Sequence, residues 1–114
     1  MSINTLLSLL TRSPQSVEFD QVMQTISDHY QYIPTTFSNG ELHNQAGSNE
    51  GSCKIFAFGQ VNRLSEQQTL ACFGSYYRND VLANPNGQDH QNIRTFIKSG
   101  WSGVKFESKA LTAK

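Results

Sequence analysis

Cys53 and His90 are the side chains of this sequence best suited to nucleophilic and acid–base chemistry. Asn49 can cap a helix that begins at Glu50, which places Cys53 about one turn into it. A helix start favours the thiolate, and Lys54 next door favours it further. His90 is the natural base for such a thiol, with Asp80 or Asp89 to orient the ring. This set describes a cysteine- or histidine-dependent hydrolase or transferase with Cys53, His90 and Asp80 as catalytic residues. The plainer reading of Cys53 is a small core residue, because it precedes Ile55-Phe56 and no local cysteine-protease signature surrounds it.

A second set is Glu50, Arg78, Asp80, His90 and Arg94. If neighbouring helices bring these groups together, they suit a small polar or anionic ligand. Their bland alternative is an ion-pair network, with Arg78 and Arg94 paired to Asp80, Asp89 or Glu50 and Asn92 satisfying backbone groups at turns. Trp101, between Gly100 and Gly103, is either a plug at a bend or an exposed contact for a ligand or partner. Tyr76, Tyr77 and Phe96 read as core. His29, His43 and His90 show no metal-ligand spacing, so no metal and no cofactor is expected.

The elements that must position these residues follow from periodicity. Leu6, Leu7, Leu9 and Leu10 suggest a short amphipathic helix, Ile3–Thr11. Ser13-Pro14 starts a second, running to Tyr30, with Phe19, Val22, Met23, Ile26 and Tyr30 on one face. Pro34 ends that pattern. Thr35–Phe37 reads as a short strand, Asn39-Gly40 as a turn, and residues 41–48 as a loop. Cys53–Val61 is apolar or small almost throughout, the mark of a central helix. Ser65 and Gln68 form a capping box for a further helix that reaches Ala83, before the turn Asn84-Pro85-Asn86-Gly87. Asp89 caps a last helix, His90–Ser99, with Ile93, Phe96 and Ile97 inward and Gly100 left-handed after it. Val104–Glu107 alternates as a strand, able to pair through Val104–Phe106 with Thr35–Phe37. The expected fold is α+β and helix-dominated. It has four to five helices around a core, with one small two-stranded antiparallel sheet, in a single domain spanning residues 1–114.

Composition narrows the function. Nine basic and nine acidic residues cancel, and the basic ones are scattered, so neither nucleic acid nor an anionic membrane is an expected partner. The longest apolar runs are Leu6-Leu7 and Leu9-Leu10, far short of the roughly 20 residues of a bilayer span. Cys53 and Cys72 lack CxxC spacing and read as reduced, buried thiols.

Three stretches, taken in order, resemble the HopJ type III effector family. They are Asn49-Glu50-Gly51-Ser52-Cys53-Lys54-Ile55-Phe56-Ala57-Phe58; Leu70 to Leu82, with Phe73-Gly74, Tyr77-Arg78 and Asp80-Val81-Leu82; and Asn84-Pro85-Asn86-Gly87 through Asp89–Arg94 to Gly100-Trp101 and Gly103–Phe106. Tyr32, Pro34, Phe37 and Asn39-Gly40 fit the same pattern, and the resemblance runs from about Phe19 to Leu111. It implies a bacterial protein of effector-like role, acting by binding a host or bacterial protein or a small ligand, and no particular reaction. It also implies a cytoplasmic protein that can be exported through a type III system. Ser2, Ile3, Thr5, Ser8, Thr11 and Ser13, with no acidic residue before Glu18, suit a type III signal in residues 1–15. A non-exported bacterial accessory protein is the alternative.

Overall fold

The computed structural model describes Met1–Lys114. Helix α1 spans Ile3–Arg12. Ser2 caps it by accepting the Thr5 N–H, and its inner face carries the fully buried Leu6 and Leu10. Removing such a buried leucine side chain costs about 2–5 kcal/mol in a typical core, so α1 is held as part of the fold. The expected helix from Pro14 to Tyr30 is two pieces. Pro14–Ser16 is a 3₁₀ turn, Val17 and Glu18 are extended, and α2 runs from Phe19 to His29. The later start has a local cause. Glu18 and Gln21 close a reciprocal capping box, each side chain on the other's backbone N–H.

Tyr30–Tyr32 forms β1, Phe37–Asn39 forms β2 and Leu42–Asn44 forms β3. The central helix α3 covers Glu50–Val61 and buries Cys53 and the whole of Ile55–Gly59. Ser65 and Gln68 form the expected capping box at the start of α4, Glu66–Ala71. The chain does not continue as one helix to Ala83. Gly74 takes φ +60°, a conformation that closes a helix C-terminus, and Tyr76–Val81 then winds as a π-helical turn. Helix α5 is Gln91–Ser99, followed by a 3₁₀ turn, Gly100–Gly103, and strands β4, Val104–Phe106, and β5, Leu111–Ala113.

The architecture is helix-dominated α+β, as expected, with more strand pairing than the sequence pattern suggested. The loop expected at residues 41–48 contains β3. The partner of β4 is Phe37–Asn39, in the register Phe37↔Phe106, rather than Thr35–Phe37. β2 also pairs with β3, giving the order β3-β2-β4, and β1 pairs with β5 in a second antiparallel sheet. Three-residue strands are too short for period-two alternation to show. On α5 the inward residues are Asn92, Ile93 and Phe96, while Ile97 is 46% exposed. Ile97 lies one residue, or about 100° of helix, beyond Phe96 and so turns off the core.

A cluster of 23 buried apolar residues joins α1, α2, α3, α4 and α5 to the sheets. Phe56 sits at its centre, against Phe37, Phe73, Phe96 and Trp101. Trp101 is a plug. Its ring meets Phe96 edge-on at 5.1 Å, its indole N–H donates to the Leu64 carbonyl at 2.9 Å, and a Cβ on Gly59 would stand 2.8 Å from it.

Candidate ligand-binding site

The residues that shape a site are asparagines, and they start in the sheet. Asn39 at the end of β2 and Asn44 at the end of β3 point inward, 0% and 3% exposed. Asn92, 7% exposed, faces them from the first turn of α5. Asn44 and Asn92 exchange amide hydrogen bonds: Asn92 Nδ2 donates to Asn44 Oδ1 at 2.9 Å and Asn44 Nδ2 to Asn92 Oδ1 at 3.2 Å. Asn39 Nδ2 donates to the Asn92 backbone carbonyl at 2.8 Å and to Asn92 Oδ1 at 3.1 Å. Asn49 Nδ2 donates to Asn44 Oδ1 at 2.8 Å, which brings in the start of α3. One polar network therefore holds the β2–β3 hairpin and the first residues of both α3 and α5. Within it, Asn39 Oδ1 has no partner.

Both helix starts are unusual. Asn49 and His90 occupy the cap positions with φ 52° and 51°, in the left-handed region, and neither side chain caps the helix it precedes. Asparagine enters that region more readily than most residues, and histidine is enriched there too. The consequence is geometric. Gly51 and Ser52 in the first turn of α3, and Gln91–Ile93 in that of α5, line one cavity of about 530 Å³. Phe19, Phe73 and Tyr76 also line it, as do Leu42, His43 and Asn44 from β3. Tyr76 stands edge-on to Phe19 at 5.1 Å and tilted on the His90 ring at 5.2 Å. No acidic residue lines the cavity, and helix starts present partial positive charge.

The expected site residues are distributed as follows. His90 and Asp80 come together, with His90 Nε2 3.0 Å from Asp80 Oδ2 and 3.7 Å from Asp89 Oδ2. His90 also lines the cavity. Arg94 is locked beneath them, donating to Asp89 Oδ1 at 2.6 Å, to the Asp89 carbonyl at 2.6 Å and to the Asn84 carbonyl at 2.8 Å. That guanidinium is the main cause holding the Asp89 carboxyl below its ordinary range. Arg78 points elsewhere, donating to the Val17 carbonyl at 2.9 Å and the Pro14 carbonyl at 3.4 Å, so it fastens the π-helical turn to the segment before α2. Trp101 is half-buried and packs against the core, as described.

Cys53 is on another face of α3. It is buried, and its thiol lies 3.6 Å from the Thr35 carbonyl as donor. Burial is the largest influence on it and pushes its pKa up. Tyr32 and Glu50 lie beside it. The Tyr32 hydroxyl makes no hydrogen bond within normal geometry, and its pKa is raised by burial first and then by Cys53 and Glu50. Cys72 is also a free, buried thiol, pushed up to about 12 by desolvation. Cys53 makes no hydrogen bond to His90, whose ring nitrogen faces Asp80 and Asp89.

The family model for the HopJ type III effector protein matches residues 3–111. The chain belongs to this HopJ family. A crystal structure described as that of an unknown function protein, VPA0580, matches this HopJ chain with a TM-score of 0.98 and 51% identity, covering 100% of this chain and 95% of that one. A search of the curated proteins gave no match. The match across residues 3–111 of the HopJ chain includes every segment that forms the cavity.

His90, Asp80 and the helix start at Asn49 are legible in the sequence, whereas the network of Asn39, Asn44 and Asn92 is not. Asn39-Gly40 carries a turn signal that hides the burial of Asn39. The placement of Cys53 makes a direct forecast. A neutral alkylating agent should modify neither cysteine of the native protein at neutral pH and both after denaturation, as read by intact mass. Rapid modification of native Cys53 at a rate typical of an activated thiolate would contradict its placement.

Proposed function

We propose that this HopJ protein acts by binding, and that the cavity between the starts of α3 and α5 receives a small ligand. The observation that carries the reading is that two left-handed residues, Asn49 and His90, bring two helix starts without side-chain caps to one cavity of about 530 Å³. Backbone N–H groups at helix starts favour anionic or acceptor-rich groups. Phe19 and Tyr76, edge-on to each other, add aromatic surface to the cavity wall. The ligand class that suits both is a small molecule with a planar or apolar body and a carboxylate or phosphate end. The size falls in the range of ordinary small-molecule sites.

Family membership supports an effector role with delivery through a type III system, and the Ser- and Thr-rich first residues agree with it. Because Leu6 and Leu10 are buried, α1 has to leave the core before any export apparatus can read that segment. A second reading is a histidine-dependent hydrolase or transferase, favoured by the 3.0 Å approach of Asp80 Oδ2 to His90 Nε2 on the cavity wall.

Two measurements test the proposal. Nuclear magnetic resonance titration of labelled protein with aromatic carboxylates and nucleoside phosphates should shift the amides of Gly51, Ser52 and Gln91–Ile93, and Ser52→Phe should abolish the effect by filling the cavity. Shifts centred on a second pocket, lined by Leu10 and Thr11 of α1, Gln68 of α4 and Arg78, or an unchanged response in the Ser52→Phe protein, would overturn the cavity assignment. Residues 1–16 fused to a reporter should be exported in a manner that requires a type III system; absence of such export sinks the delivery reading and leaves the cavity untouched.

A further inference from the structure

Beside the cavity, two carboxylates converge on one imidazole nitrogen. Asp80 Oδ2 is 3.0 Å and Asp89 Oδ2 3.7 Å from His90 Nε2, and the three donor atoms all lie within 4.8 Å of one another. A ring nitrogen carries at most one hydrogen, so Nε2 can donate to Asp80 or to Asp89 but not to both, and two half-exposed carboxylates are drawn to one point that a single hydrogen bond does not satisfy. A cation between the three groups removes that mismatch. We propose that Asp80, Asp89 and His90 bind one divalent transition-metal ion of the zinc type. This rests on the three donors and not on the cavity's ligand.

The spacing suits the assignment. Ligand atoms about 2.0–2.2 Å from a tetrahedral ion stand about 3.3–3.6 Å apart, between the 3.0 and 3.7 Å separations from His90 Nε2. The donor set selects the metal: an imidazole nitrogen with two carboxylates suits zinc-like ions better than magnesium or calcium, which prefer oxygen alone. Three protein ligands leave a fourth position open. His90 forms part of the cavity wall, so an ion held there would lie at the cavity's edge.

The surroundings hold the donors in place. Arg94, 10% exposed, grips Asp89 by the other oxygen, Oδ1, and by its backbone carbonyl, leaving Oδ2 directed at His90. Asn84 Nδ2 donates to the Asp80 carbonyl at 3.1 Å. Outer groups of this kind orient the ligands of a metal site. Asp80 lies in the π-helical turn and His90 is left-handed. π-Turns recur at functional sites, and here the turn sets where Asp80 stands relative to His90. The formal charges of Asp80, Asp89 and Arg94 sum to one negative, so a divalent ion is not opposed by these side chains.

The test uses the full chain, freed of metal with a chelator. Cobalt(II) serves as the spectroscopic probe and zinc as the competitor. We expect one equivalent of cobalt(II) to bind with visible d–d absorption, zinc to displace it, and zinc to raise the melting temperature. Asp80→Asn keeps the shape of the side chain, and His90→Asn keeps a residue tolerant of the left-handed backbone. Each should weaken binding by about tenfold or more with the circular dichroism unchanged, while His43→Gln and His29→Gln bind as wild type. No saturable cobalt(II) binding in the wild-type protein overturns the proposal. Undiminished binding in the Asp80→Asn protein also overturns it, as does loss in His43→Gln, which would place the ion elsewhere. The readout is metal binding itself, so failure here leaves the cavity reading standing.

Discussion

A buried amide pair is the interaction on which the rest of this structure depends. Asn44 and Asn92 exchange two hydrogen bonds inside the protein, and Asn39 and Asn49 attach to them. Each amide removed from water must find partners or lose about 1–3 kcal/mol. The β2–β3 hairpin therefore cannot shift relative to α5 without breaking several bonds at once. The same bonds hold Asn49 at the start of α3. An apolar core alone tolerates such shifts far more readily, because hydrophobic contact is not directional. The unpartnered Asn39 Oδ1 is the one polar atom of the network that this arrangement leaves unpaid.

From that pair outward, two of the molecule's three left-handed non-glycine residues and its π-helical turn gather in one place, while the third, Arg63, follows the far end of α3. Asn49 and His90 are left-handed, and Tyr76–Val81 is a π-helical turn. Such conformations cost of order 1–3 kcal/mol each for non-glycine residues and persist only where neighbours enforce them. Here the enforcing neighbours are visible. Asn49 is bound to Asn44, and the Arg94 fork binds Asp89, the residue before His90. Arg78 ties the π-helical turn to Val17 and Pro14. Arg78 and Arg94 thus act as fasteners on two sides of the site. Trp101 has a comparable structural task beneath α3, where Gly59 leaves room for its ring.

The features of this fold that are visible in the sequence are those encoded locally. Leucine spacing announced α1, Ser65 with Gln68 announced α4, and the apolar run through Phe58 announced the central helix. The clustering of unusual residues between Tyr77 and Trp101 was also visible, and His90 with Asp80 came from it. What was not visible depends on contacts between distant residues. Nothing near Asn92 signals that Asn44, 48 positions away, will face it. A turn dipeptide gives no hint that Asn39 is fully buried. The division of the long helix at Gly74 and the strands of three residues were set by tertiary packing, against the weaker local preference.

A double-mutant cycle on Asn44 and Asn92 tests the central claim most directly. Chemical denaturation of Asn44→Ala, Asn92→Ala and the double variant yields the coupling between them. The account predicts that each single change destabilises by about 1–3 kcal/mol, since it strands the surviving amide. The double change should then cost less than the sum by about 1–2 kcal/mol. Additive losses, agreeing within about 0.5 kcal/mol, would show that the pair does not act as a unit and would contradict the account.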